Sequence, residues 1–202
     1  MSDIPSTNSP ASKADFTQLI SDLTKIKDEG NALYKKKNLE EAEKKYEEGI
    51  KLFAKESPLI NKERGSNEQC KEVLLLYKKI LSNMALSFYK KGNYEKAIEY
   101  DLKIIEDFPK FGKSIVRLFN SYSKLGKNQQ AVYYGDLFLE LDQETRDKFK
   151  GTQDKVKDEK QRLKEIQKAE RDKIKKEFAK YSVPALILLL AILTFLLFKK
   201  NK

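Results

Sequence analysis

Histidine is absent from the chain, tryptophan is absent too, cysteine occurs once, and glycine and proline number only 8 and 5 in 202 residues. Without histidine, the commonest general base, the usual metal ligand and every Ser-His-Asp arrangement are excluded. A single cysteine, Cys70, rules out a disulfide framework and a cysteine-rich zinc site. Cys70 would also lack the usual histidine partner of a catalytic thiol, so it is expected to sit quietly on a helix or loop. Scarce glycine and proline favour long helices over many-turned sheets. No cofactor is implied.

Charge is what the chain has in quantity. Charged residues make up 36% and the formal net charge is +10. Nucleic acid, an anionic membrane and an acidic peptide all suit such a charge. The stretch PKFGKSIVRLFN (residues 109–120) contains GKS, the ending of a phosphate-binding loop. That loop needs a glycine five residues before its last glycine, and the position holds Asp107. Without it the backbone N–H groups do not curl around a phosphate. What remains is Lys113 and Arg117, four apart, which a helix stacks on one face.

The two ends differ in kind. MSDIPSTNSPASKADF is rich in Ser, Pro and Asn and has no apolar core; residues 1–15 read as a disordered tail rather than a signal peptide. Near the other end, VPALILLLAILTFLLF begins at Val183, ends at Phe198 and carries no charge. Sixteen helical residues span about 24 Å, somewhat short of a hydrocarbon core of roughly 30 Å. Tyr181 suits one interface, and Lys199 and Lys200 snorkel into the other. Pro184 falls in the first turn, where a missing N–H costs little. The expectation is a single transmembrane helix over 182–198 with a basic tail, 199–202. The rest would then lie on the cytosolic face of the endoplasmic reticulum or of the mitochondrial outer membrane.

Between the ends the sequence repeats. KNLEEAEKKYEEGI (residues 37–50), GNYEKAIEYDLKII (92–105) and GKNQQAVYYGDLFL (126–139) share a polar turn, then Ala, then an apolar or aromatic position further along. Ala97 and Ala131 lie 34 residues apart, and Ala42 lies 55 before Ala97, so an insertion of 21 separates the first two copies. ESPLINKERGSNEQ supplies it, with longer helices on either side. Each copy reads as two antiparallel helices. Gly30, Ala42, Ala85, Ala97 and Ala131 let helices approach closely, and Tyr46, Leu86, Phe88, Ile98, Phe119 and Tyr122 fill between them. Pro109 ends the second copy. The fold class is all-α: three helix pairs over 16–142 forming a superhelical array with a concave groove.

KIKDEGNALYKKKNLEEAEKKYEEGI resembles the first repeat of the tetratricopeptide-repeat (TPR) domains of chaperone adaptors and large immunophilins. The long insertion after it is most similar to the immunophilin type. The likeness covers about 120 residues. It implies a dicarboxylate clamp for the C-terminal Asp of a cytosolic heat-shock chaperone of the seventy- or ninety-kilodalton class. The clamp would comprise Lys27 and Asn31 in the first repeat, Asn83 within LSNMALSFY in the second, and Lys113 and Arg117 in the third. Cations neutralise the two carboxylates of a terminal Asp, and asparagine amides hold the peptide without adding charge. Gly49 stands where the repeat consensus prefers Ala, a matter of packing rather than of the clamp.

From Glu144 to Lys180 the sequence is densely charged, with Val156, Leu163, Ile166, Ile174 and Phe178 thinly spaced. It reads as a seventh helix over 143–181, a cap on the repeats that extends as a stalk, and its apolar positions are too sparse for a coiled-coil seam. The function expected is a membrane-anchored co-chaperone-like adaptor, not an enzyme, with no nucleic-acid partner. The alternative is a membrane-organising or targeting adaptor of the mitochondrial fission type, which binds other proteins.

Overall fold

The structure, a computed structural model, describes residues 14–200, with side chains through Lys180. Its described part is helical throughout: α1 (Thr17–Lys35), α2 (Leu39–Glu63), α3 (Glu68–Lys90), α4 (Tyr94–Asp107), α5 (Gly112–Lys124), α6 (Asn128–Leu139), α7 (Gln143–Asp147) and α8 (Thr152–Lys200). The chain divides into two compact units, the first ending at Lys150 and the second beginning at Gly151.

The first unit is built from antiparallel pairs, α1 on α2, α3 on α4 and α5 on α6, and each pair packs on the next. The first helices, α1, α3 and α5, also touch in sequence, α1 on α3 and α3 on α5, so they line one side together. Three similar turns make the pairs. Each first helix ends in a Schellman motif, with Asn38 N–H donating to Leu33 C=O, Asn93 N–H to Phe88 C=O and Lys127 N–H to Tyr122 C=O. The left-handed residue in that motif is Gly92 at φ 78° and Gly126 at φ 68°, but Lys37 at φ 62° in the first repeat. Asn38 and Asn93 then cap α2 and α4, their side chains accepting from Glu41 and Lys96 N–H.

The small residues expected between helices are all buried. Ala42, Ala85, Ala97 and Ala131 are inaccessible to solvent. A Cβ on Gly30 would lie 2.8 Å from Tyr46 Cδ1, so only glycine lets the buried Tyr46 ring cross α1. Gly49 is explained the same way, since a Cβ there would meet Ile80 Cδ1 at 2.9 Å. Tyr46, Phe88, Ile98 and Phe119 are buried as expected, whereas Leu86 and Tyr122 are only partly so. The core continues through Leu23, Ile60, Val73, Ile80 and Met84, which ties the insertion to the repeats.

Three sequence expectations are corrected. The stretch expected to lie between longer helices, ESPLINKERGSNEQ, is itself mostly helix: α2 runs on through Pro58 to Glu63, and only residues 64–67 form the turn to α3. Pro58 removes the N–H that Ala54 C=O would accept, and the Ser57 hydroxyl donates to that carbonyl instead at 2.8 Å. Residues 14 and 15, expected within the tail, make defined contacts. Asn67 Nδ2 donates to Ala14 C=O, and Asp15 accepts from Thr17 N–H and Oγ1. Residues 1–13 lie outside the described part.

The third correction concerns the helix expected from Glu144 onward, which is two helices. α7 ends at Asp147, and Gly151 at φ 83° precedes α8. The cap on the last repeat within the first unit comes from the α7 segment. Arg146 donates to the C=O groups of Leu139 and Leu141 at the end of α6, and Thr145 and Phe149 close over Gly112 at the start of α5. Arg146 thereby satisfies carbonyls that a helix end leaves without partners.

In the second unit, α8 is charged and exposed over most of its described length, with Ile174 59% and Phe178 74% accessible. Among the described residues no helix is long and apolar enough to cross a membrane. The run 183–198, expected to do so, continues α8 but lies outside the residues whose side chains are described.

Candidate functional site

The five residues expected to form a carboxylate clamp sit on the three first helices: Lys27 and Asn31 on α1, Asn83 on α3, Lys113 and Arg117 on α5. Within each four-residue spacing the two side chains are neighbours one turn apart.

The asparagines are brought together. Asn83 Nδ2 donates to Asn31 Oδ1 at 2.6 Å, and the Tyr46 hydroxyl donates to the same oxygen at 3.0 Å. With its carbonyl oxygen doubly engaged, the Asn31 amide is held in one orientation. Its N–H₂ group has no partner among the described residues and remains able to donate. Burial raises the Tyr46 phenol to about 12, so it stays protonated and able to donate.

The lysines differ in their surroundings. Lys27 is 17% accessible and contacts the exposed Asp28 at 3.1 Å, an interaction that solvent screens heavily. Lys113 is exposed and makes no ion pair or side-chain hydrogen bond among the described residues.

Arg117 departs from expectation. Its guanidinium is nearly buried and already carries a carboxylate: Nε donates to Asp101 Oδ2 at 2.7 Å and Nη2 to Asp101 Oδ1 at 2.6 Å. Nη2 also reaches Ser82 Oγ at 3.4 Å, beside Asn83. The two-point geometry is that of a strong charge-assisted pair. Burial holds the Asp101 carboxyl above its ordinary value, while the Arg117 guanidinium and the Ser114 hydroxyl pull it down. The stacked cations Lys113 and Arg117 are therefore not equivalent: one faces solvent, the other faces an internal anion.

Asp101 is the residue that sequence reasoning missed. A signal was present. Ala97, Ile98, Asp101 and Ile104 form the buried stripe of α4, and a carboxylate on an apolar stripe requires a cationic partner. Cys70 is buried on α3 with its thiol against the Ile60 C=O at 3.3 Å, and burial pushes the thiol up. That leaves it a poor nucleophile.

A separate groove of about 650 Å³ opens between α2, α3 and α4, floored by Phe88 and Tyr100, whose rings stack at 5.6 Å. Glutamates and lysines both rim it, with Glu43 paired to Lys91 at 3.0 Å and Lys96 lying over the Phe88 ring. Its charges are balanced.

Neither a family model nor a curated protein matches the sequence. Among solved structures, the chain is similar to the C-terminal TPR-containing domain of a Plasmodium falciparum FK506-binding protein. The TM-score is 0.55 at 20% identity, over 73% of this chain and 97% of that one. At that identity the likeness shows the fold alone, an all-helical tetratricopeptide-repeat architecture.

Proposed function

We propose that the chain is a membrane-held co-chaperone-like adaptor whose groove receives the free C-terminus of a peptide ending in Asp. The source would be the acidic tail of a cytosolic heat-shock chaperone. The observation that carries this reading is the Asn83–Asn31 hydrogen bond, which engages the Asn31 oxygen and leaves its N–H₂ group to donate, on contiguous first helices that also carry Lys27 and Lys113. Amide donors and lysines together suit the paired carboxylates of a terminal Asp. Lys27, Asn31, Asn83, Lys113 and Arg117 are the residues assigned to the clamp. The uncharged run 183–198 would hold the adaptor in the membrane, with the repeats on the cytosolic face of the endoplasmic reticulum or of the mitochondrial outer membrane.

The test is a titration of the full chain in detergent micelles with labelled peptides ending in Glu-Glu-Val-Asp, one a free acid and one amidated. The free acid is expected to bind with micromolar affinity, and amidation to cost about 2 kcal/mol by leaving a clamp cation unpaired. Equal, weak binding of both forms would overturn the reading. One observation favours a second reading, a membrane-organising adaptor with other protein partners: Arg117 is already occupied by Asp101. Equal, weak binding would put that reading first.

A further inference from the structure

We infer that Asp101 sets the charge balance of the groove and limits its affinity for anionic ligands. It holds Arg117 as an internally neutralised pair, so attraction for a carboxylate falls to Lys27 and Lys113. This rests on the peptide-docking reading.

The geometry is specific. Asp101 belongs to α4, a second helix, and its carboxylate is inaccessible to solvent. Both its oxygens face one edge of the guanidinium, meeting Nε at 2.7 Å and Nη2 at 2.6 Å. With Nη2 also near Ser82 Oγ, the edge that an arginine uses for two-point recognition of a carboxylate is consumed. The remaining group, Nη1, has no partner among the described residues, so Arg117 can still donate to a ligand from Nη1. An arriving carboxylate thus meets a donor without a net charge behind it.

The position sharpens the point. Ala97, Ile98 and Ile104 make the rest of the buried stripe on α4, where an apolar side chain would pack without desolvating an ion. A buried ion pair rarely improves stability over an apolar replacement, so stability gives little reason for Asp101. Restraining Arg117 does: an unpaired, nearly buried guanidinium beside Asn83 would attract anions regardless of the rest of the ligand. With Asp101 present, a ligand is held only if its carboxylates also reach Lys27 and Lys113 across the groove. Asp101 is therefore a positioning and selectivity residue that acts through Arg117.

The test uses the full chain in micelles, the free-acid and amidated peptides ending in Glu-Glu-Val-Asp, and three variants. D101N is expected to bind the free acid at least about fivefold more tightly, because the Arg117 charge is released toward the ligand, while its thermal midpoint falls. A residue with a merely structural role would lower both. R117Q is expected to lose at least about tenfold, since it leaves the Asp101 carboxylate uncompensated beside the ligand. The double variant D101N/R117Q, which lacks the Arg117 donor but no longer leaves a carboxylate uncompensated, is expected to bind the free acid at least about fivefold more tightly than R117Q. If D101N does not fold, the double variant decides. Tighter binding by D101N, or by the double variant relative to R117Q, supports the inference, including the case in which the original chain binds neither peptide and D101N binds the acid. A double variant no tighter than R117Q, or no gain in a folded D101N, overturns it and leaves docking intact if the original chain still prefers the acid. If neither the original chain nor any variant distinguishes acid from amide, docking and inference fall together.

Discussion

Asn83 Nδ2 and Asn31 Oδ1 stand 2.6 Å apart, a hydrogen bond that joins the first and second repeats through the residues assigned to the ligand. The contact ties α3 to α1, and it engages the oxygen end of the Asn31 amide, leaving the N–H₂ end to donate.

Removing each partner of that oxygen should have different consequences. Asn83→Ala deletes a donor proposed for the ligand as well as the bond to Asn31, so peptide affinity should fall by about 1.4 kcal/mol or more and stability by about 1 kcal/mol. Tyr46→Phe deletes only the hydroxyl, leaving Asn31 oriented by Asn83; stability should fall by a similar amount and affinity by less than threefold, roughly. Urea unfolding and peptide titration of both variants check this. Unchanged affinity in Asn83→Ala would remove Asn83 from the site.

Lys37 occupies a left-handed turn position that Gly92 and Gly126 fill in the other repeats. Left-handed geometry costs a side-chain-bearing residue roughly 1–2 kcal/mol, partly offset by the greater freedom glycine loses on folding. Lys37→Gly should therefore raise stability by up to about 1 kcal/mol, and Gly92→Ala should lower it by about as much. Chemical unfolding of both reads the two signs. A loss of stability in Lys37→Gly would show that the lysine side chain makes a compensating contact.

Gly30 faces the Tyr46 ring across the first helix pair, and an added Cβ would lie 2.8 Å from Cδ1 of that buried ring. Because Tyr46 is only 1% accessible, the ring has little room to retreat. Gly30→Ala should cost roughly 1–3 kcal/mol by overpacking, although alanine is the better helix former. The same unfolding measurement checks it, and a net gain would mean that the ring moves freely.

Alkaline pH should unfold the repeats through their tyrosines. Burial is the largest cause that raises Tyr46, Tyr100 and Tyr134 to about 12 each; glutamates including Glu47 add to it at Tyr100, and neighbouring tyrosines at Tyr134. An unfolded phenol titrates near about 10. The fold therefore holds these protons more tightly than the unfolded chain does. The resulting stability is fully present below pH about 10 and is lost as pH rises through about 12. Phenolate absorbance should show a late-titrating group of tyrosines whose ionisation coincides with loss of helical circular dichroism. All ten tyrosines titrating together near pH 10, with helicity intact, would contradict this.

The repeat architecture was legible because it rests on small residues at matching places in each copy. Ala42, Ala97 and Ala131 mark the second helices, and each is buried where a second helix crosses a first. The five residues proposed for the clamp lie on the first helices, as their places in the repeats led one to expect. Two things were harder to read. The reach of α2 into the insertion was one, because Pro58 is absorbed by a hydroxyl one residue away that no periodicity reveals. The partner of Arg117 was hidden because Asp101 comes from the preceding repeat's second helix, 16 residues away, and a contact between repeats is tertiary. Its placement among Ala97, Ile98 and Ile104 was the available clue. The break at Gly151 was also visible as a glycine before Thr152, but the dense charge on both sides masked it as a continuous helix.

The side-chain amide resonances of Asn31 and Asn83 give the most direct reading of the groove. In the full chain labelled at asparagine nitrogen, both N–H₂ pairs should shift saturably when the free-acid peptide ending in Glu-Glu-Val-Asp is added, and should stay still with the amidated peptide. Shifts confined to Asn93, at the start of α4 near the Phe88 and Tyr100 groove, with Asn31 and Asn83 unmoved, would contradict a carboxylate clamp on the first helices.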